Sequence, residues 1–258
     1  MSRALHAEWT KLRTLPGTGW LLLGTVAVTV AVGAAAAATV SCHTTTCGYD
    51  TPKLALSGVL AGQALAALLA VTAVTTEYGT GLATVTYAAL PRRTGVLAAR
   101  ATVVAAVTAV AGTLGVAGSL LVARILLPRN GFTPVHGYPP LSLADGPTLR
   151  AATGTVLYLV LVALFALGVA TAVRDTAAGV GLVAGVLYVL QIAPYVVGDP
   201  GWQRALWRLS PTNAGLTVQA TRHLSHYPLG PWAGLGVLAA WSAAALLAGG
   251  LLLKYRDA

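Results

Sequence analysis

Six long runs without a charged residue constrain this chain more than any other feature of its sequence. A helix needs about 20 mostly apolar residues to cross a hydrocarbon core of roughly 30 Å. The runs are continuous and do not alternate with period two, which favours helices over barrel strands. Trimmed at polar and turn-forming stretches, they predict transmembrane helices at about 18–40, 54–76, 101–123, 151–173, 176–198 and 232–253. We therefore expect an all-α polytopic membrane protein, with one transmembrane domain over 1–258.

The composition agrees with this fold class and excludes others. Only 9% of the residues are charged and 56% are hydrophobic, whereas roughly a quarter of a soluble domain is charged. A net charge of +9 would suit a nucleic-acid partner, but the basic residues are scattered between apolar blocks, as in membrane proteins. We expect no nucleic-acid partner.

The basic residues also predict an orientation, because cytosolic flanks of spans carry an excess of Lys and Arg. Seven basic residues fall on one side, in longer loops, and nine on the other. The nine are Arg3, Lys11, Arg13, Arg92, Arg93, Arg100, Arg174, Lys254 and Arg256. We expect both termini in the cytosol. A cleaved signal peptide or a lipidated Cys42 is the alternative, which the long leader containing Glu8 and the residue Thr39 disfavour.

Residues 1–17 precede the first predicted span and carry an amphipathic pattern. Leu5, Trp9 and Leu12 share one helical face, and Lys11 and Arg13 lie largely off it. This spacing predicts an interfacial helix with Trp9 at headgroup depth and its cations toward anionic lipid. A basic flank that only sets topology would explain the charges but not the apolar spacing.

The only two cysteines, Cys42 and Cys47, fall in one polar loop on the predicted exterior side. Their spacing permits a loop disulfide, and the compartment is oxidising. Free thiols are a second interpretation. A metal site that includes His43 is a third, with an incomplete set of ligands.

Several functional classes lack their residues. The six predicted spans contain no Asp or Glu, and ion-coupled carriers and pumps usually place ionisable groups at membrane depth. None of the chain's lysines completes a phosphate-binding G-x-x-x-x-G-K-[ST] loop. We expect no catalytic, cofactor-binding or metal residues on this chain, and any ATP it uses must be hydrolysed by another polypeptide.

The connection 77–96 has an unusual pattern for a loop that only sets topology. Glu77 and Tyr78 stand where the second predicted span ends, and Pro91-Arg92-Arg93 precedes the third. Between them lies a glycine- and threonine-rich amphipathic stretch. A topology-setting loop would explain the two arginines but not this stretch. A cytosolic loop of this kind can present a short helix to a partner.

Taken together, these motifs resemble the type-2 ATP-binding-cassette (ABC) exporter permeases. The resemblance covers the layout of the whole chain, including its six spans. It rests on short motifs in a fixed order: Glu8-Trp9-Thr10-Lys11-Leu12-Arg13-Thr14, Glu77-Tyr78, Pro91-Arg92-Arg93, Leu209-Ser210-Pro211-Thr212-Asn213-Ala214-Gly215 and Lys254-Tyr255-Arg256-Asp257. The pattern departs from many relatives at Gly79, where they carry a basic residue.

The resemblance implies a plasma-membrane efflux permease that pairs with itself or with a second permease. ATP and Mg²⁺ would be bound by a separate ABC ATPase subunit. Residues 3–16 would be the connecting helix, and 199–231 the outer re-entrant region. The coupling loop to the ATPase would be 77–96, with Glu77, Tyr78, Arg92 and Arg93 as its contact residues.

Two other functions remain open at this stage. One is a non-transporting membrane immunity or scaffold protein that binds a lipid or a peptide. The other is an ion-coupled secondary transporter, which the absence of acidic residues from the spans disfavours. For the exporter, the cargo would be an unidentified amphiphilic compound.

Overall fold

A computed structural model describes residues 2–14, 16–42, 44, 47–79 and 93–255 of the chain. These residues are predominantly helical and include no β-strand. Within them, six helical segments are long and apolar enough to cross a membrane, which confirms the predicted all-α polytopic fold. We call them the first to sixth spans: Pro16–Thr39, Val59–Gly79, Arg93–Arg129, Gly146–Val173, Thr176–Val196 and Pro231–Tyr255.

Two spans differ clearly from their predicted bounds. The second begins at Val59 rather than at 54, because Asp50 caps a separate short helix, Thr51–Ala55, and a turn follows it. The third has 37 residues, Arg93–Arg129, and at 1.5 Å per residue it is about 55 Å long. Since the hydrocarbon core is roughly 30 Å thick, this helix projects beyond the membrane and carries its arginines out of the apolar region.

Exposed aromatic side chains mark the ends of the spans. Trp20 lies just after the first turn of the first span and is 74% exposed, and Trp232 is the second residue of the sixth and is 58% exposed. Tyr255 ends the sixth span and is 77% exposed. Trp232 and Tyr255 are 23 positions apart, or about 35 Å of helix, which suits two aromatic belts at opposite membrane surfaces.

Glycines bring the spans close together. The motif Gly58-x-x-x-Gly62 faces Thr29 of the first span, and a Cβ at either glycine would lie 2.0 Å from an oxygen of that threonine. Gly168 of the fourth span lies against the backbone of Ala245 in the sixth. Lipid is as apolar as leucine, so this close backbone approach is a main source of helix association in membranes.

The fifth span behaves differently, although it carries the same motif. A Cβ built at Gly181 or Gly185 meets no heavy atom of the described residues within 4 Å. Residues Gly185–Val189 of this span form a π-helical segment. The small-residue pattern therefore forms contacts within the chain at Gly58 and Gly62 but leaves an open face at Gly181 and Gly185.

Between the fifth and sixth spans, cap residues direct the chain back into the bundle. Asp199 caps the helix Pro200–Leu209, and Ser210 caps the helix Pro211–Gly215. In both cases proline occupies the first helical position, where its missing N–H costs nothing. Residues 211–215 and 217–219 are buried, as a segment of short, broken helices at membrane depth must be.

Replacing Gly168 with alanine should destabilise the bundle. The added Cβ would lie 2.4 Å from the carbonyl carbon of Ala245, so the fourth and sixth spans must separate, at a cost of about 1–3 kcal/mol. Thermal unfolding in detergent measures the effect, with Gly181→Ala as the control because that position is open. Equal melting temperatures for the two variants would contradict this packing.

Candidate functional site

Four charged side chains meet at one end of the bundle, and Arg100 lies at their centre. Arg100 is 3% exposed, and its Nε and Nη2 atoms donate to the two carboxylate oxygens of Glu8 at 3.0 and 3.1 Å. Its Nη2 atom also lies 2.7 Å from Oε1 of Glu77. One guanidinium thus binds two carboxylates at the same time.

Lys11 completes this group. Its Nζ atom donates to Oε1 of Glu77 at 2.7 Å and lies 3.4 Å from Oε1 of Glu8. The four formal charges sum to zero. Glu8 and Glu77 are the only glutamates in the chain, and both bind Arg100. We call Glu8, Lys11, Glu77 and Arg100 the charge cluster.

The cluster joins three separate elements of the fold. Glu8 and Lys11 belong to the amino-terminal helix Ser2–Thr14, which packs mainly against the third span. Glu77 stands in the last turn of the second span, and Arg100 lies about two turns into the third. Residues 80–92 connect those two spans, so the cluster ties the amino-terminal helix to both sides of this connection.

Burial determines the energetics of the cluster. Glu8 is 5% exposed and Glu77 is 8% exposed, so water solvates neither carboxylate well. Removing one partner of a buried ion pair costs about 3–5 kcal/mol, because it leaves an uncompensated charge. Replacing the whole group by apolar residues of similar size can be nearly neutral. The cluster therefore acts as a unit.

The other residues proposed for ATPase coupling fall in different places. The ring of Tyr78 lies under the guanidinium of Arg174, 5.3 Å from its centroid. Arg93 begins the third span, and its side chain lies outside the described residues, as does all of Arg92. Glu77 is buried in the charge cluster, so its carboxylate is bound within the chain and is not displayed on the surface.

The amino-terminal helix turns Glu8 toward the bundle, whereas on its predicted apolar face Leu5 is half-buried, Trp9 is exposed and the side chain of Leu12 lies outside the described residues. Of the side chains that the structure describes in this helix, Glu8 is the buried one, and Lys11 is half-buried. Trp9 is 49% exposed, and Arg13 is exposed as well. The exposed Trp9 agrees with a location at headgroup depth, whereas the inward face is fixed by ion pairs.

Polar contacts also connect the spans in the interior of the bundle. The hydroxyl of Tyr158 donates to Oε1 of Gln63, and both residues are completely buried. Tyr188 donates to the Leu60 carbonyl at 2.7 Å. Asn213 donates to the Gln191 carbonyl at 2.9 Å. Interhelical hydrogen bonds of this kind hold spans together where water is absent.

The opposite end of the bundle is closed by its own contacts. Cys42 and Cys47 form a disulfide, and Tyr138 donates to the Cys47 carbonyl. The carboxylate of Asp50 accepts hydrogen bonds from Thr221 and from the backbone N–H of Arg222. No group of three or more His, Cys, Asp or Glu side chains arranged to hold a metal occurs in the part of the chain that the structure describes.

Sequence reasoning placed Arg100 among the topology-setting cations and missed the charge cluster. The signal was the scarcity of glutamate. Both glutamates fall at the same predicted side of the membrane, and one of them stands at the end of a span. A carboxylate there needs a partner, and the buried cation nearest in the topology is Arg100.

No family model and no curated protein sequence matches the chain.

Replacing Arg100 with methionine should release the amino-terminal helix. Glu8 and Glu77 would remain buried without their main counter-charge, at a cost of about 3–5 kcal/mol. Hydrogen–deuterium exchange of residues 2–14 should rise sharply, because helix docking depends on this contact. Arg13→Met removes the same charge from an exposed position and should leave exchange unchanged. Unaltered exchange in Arg100→Met would show that the cluster does not hold the helix.

Proposed function

We propose that this chain is the membrane permease subunit of an ATP-driven ABC exporter in the plasma membrane. The observation that best supports the proposal is the charge cluster. It fastens the amino-terminal helix to the end of the second span and the start of the third. Those are the two sides of the connection in which the sequence resemblance places the coupling loop.

The physical basis is rigid coupling. Ion pairs buried at three-element junctions resist separation, because moving one element away leaves a buried charge without its partner. A force applied to the connection 80–92 by a partner would move the amino-terminal helix and both spans together. ATP and Mg²⁺ belong to that partner, and this chain supplies the membrane pathway.

A cleft in the other half of the bundle fits an amphiphilic cargo. It has a volume of about 180 Å³ and lies between the second span, the fifth span and the buried segment 211–219. Its walls combine the amides of Gln191, Asn213 and Gln219 with the apolar side chain of Leu216. A mixed lining of this kind accepts molecules with both polar and apolar parts.

Co-purification tests the partnership directly. The tagged chain, expressed at its natural level and extracted in mild detergent, should bring with it a polypeptide that contains a phosphate-binding G-x-x-x-x-G-K-[ST] loop. The recovered complex should hydrolyse ATP. Recovery of the chain without any ATPase subunit would contradict the proposal and favour a membrane scaffold or immunity protein.

The triple variant Glu8→Met, Glu77→Met, Arg100→Met tests coupling separately from folding. Its melting temperature should stay close to that of the wild type, because apolar side chains can replace a buried ion group at little cost, and Lys11, whose side chain is 39% exposed, keeps access to water. In the wild-type complex, trapping with ATP and vanadate should change hydrogen–deuterium exchange in residues 211–221. In the triple variant the ATPase should remain bound while this change is lost.

The matched control is Arg13→Met, which removes an exposed charge from the same amino-terminal helix. It should respond to trapping as the wild type does. A full response in the triple variant would show that the charge cluster plays no part in coupling.

A further inference from the structure

The helix Pro200–Leu209 has the character of a membrane-surface element. None of its residues is fully buried. Ala205, Leu206 and Trp207 are half-buried and face the protein. The outward side carries Arg204 and Arg208 beside apolar side chains that are strongly exposed. We call Pro200–Leu209 the amphipathic helix.

The amphipathic helix slants from the membrane surface into the bundle. Its first residue follows the end of the fifth span. Its last residue, Leu209, accepts a hydrogen bond from Nε1 of Trp241 at 3.0 Å, and Trp241 stands ten residues into the sixth span, or about 15 Å along it. Trp202 is 68% exposed and Leu209 is 62% exposed. The outward side of the helix is therefore open to lipid along its whole length, from the membrane surface inward.

Its two arginines have no acidic partner among the described residues. Arg204 donates from Nε to the Pro200 carbonyl of its own helix at 3.1 Å. Arg208 has no hydrogen bond or ion pair with any residue that the structure describes. A guanidinium at this depth extends toward the headgroups, because an uncompensated charge in hydrocarbon is costly.

The carboxylates at this end of the bundle are already engaged. Asp50 binds Thr221 and Arg222. Asp145 accepts from Thr148. Asp199 caps the amphipathic helix itself through the N–H of Trp202. None of these three acids is directed to Arg204 or Arg208.

This end also has more basic residues than the positive-inside rule predicts for an exterior side. Three of them make contacts within the protein: Lys53 donates to Tyr227, Arg150 to the Ala220 carbonyl and Arg222 to the Gly137 carbonyl. Four others are exposed: Arg124, Arg129, Arg204 and Arg208. A topology signal does not account for exposed cations on this side. Arg204 and Arg208 differ from the other two because they lie together on the amphipathic helix, beside exposed apolar side chains.

We propose that the amphipathic helix binds the headgroups of anionic phospholipids. The guanidinium groups of Arg204 and Arg208 bind the phosphates, for which their paired donors are suited. Trp202 inserts among the upper acyl chains, and Leu209 contacts them at greater depth. This site does not depend on an ATPase partner, so it can be tested independently of the proposed exporter function.

Hydrogen–deuterium exchange in lipid nanodiscs tests the proposal. The full chain is reconstituted in phosphatidylcholine alone, or in phosphatidylcholine with phosphatidylglycerol as the minor lipid. Amides of residues 200–209 should exchange more slowly when phosphatidylglycerol is present. In Arg204→Gln, Arg208→Gln this difference should disappear. The control variant Arg124→Gln, Arg129→Gln loses the same amount of charge at the same end of the bundle. It should still show slower exchange of residues 200–209 with phosphatidylglycerol.

Native mass spectrometry gives an independent readout. Retention of added phosphatidylglycerol should fall about fivefold for each arginine removed from the amphipathic helix, and much less in the Arg124 and Arg129 variant. The variant Arg204→Lys, Arg208→Lys should retain part of the binding, which separates lipid recognition from any loss of folding.

Two outcomes would overturn the proposal. Equal exchange of residues 200–209 in the two lipid mixtures would show that the headgroup charge is not recognised. The alternative is a second copy of the chain covering the helix. Protection of residues 200–209 from exchange that increases with protein concentration in detergent, without anionic lipid, would show this.

Discussion

A charge that is withdrawn from water must be neutralised, and in this protein that constraint fixes one end of the bundle. Arg100 is almost completely buried, and it is held by Glu8 and Glu77. Because these residues lie on three different elements, their neutralisation requires that the elements meet. This requirement fixes the position of the amino-terminal helix. It also fixes the separation of the second and third spans.

Glycine contacts and polar side chains organise the rest of the bundle by a different principle. Where no charge is present, backbones approach closely at Gly58, Gly62 and Gly168. Buried amides and hydroxyls then bind carbonyls on neighbouring spans. One end is thus held by ion pairs, and the interior by packing and hydrogen bonds. In the proposed exporter, the charged end is the part that would transmit a force from the ATPase.

The number and placement of the spans could be predicted because the bilayer excludes charge over a fixed length. Uncharged runs of that length are visible directly in the sequence. Their ends could not, because capping determines them: Asp50 starts a separate short helix before the second span. The charge cluster was missed because residues 8, 77 and 100 are remote in sequence and share no local pattern. Arg92, which the resemblance assigns to coupling, lies outside the described residues, and its assignment stays a prediction.

The most direct measurement of the central claim is a double-mutant cycle between Glu8 and Arg100. Free energies of unfolding would be compared for Glu8→Gln, Arg100→Met and the double variant. If the two side chains form the buried pair that docks the amino-terminal helix, the double variant should be more stable than the sum of the single effects predicts, by at least about 1 kcal/mol. Strictly additive effects would contradict the account.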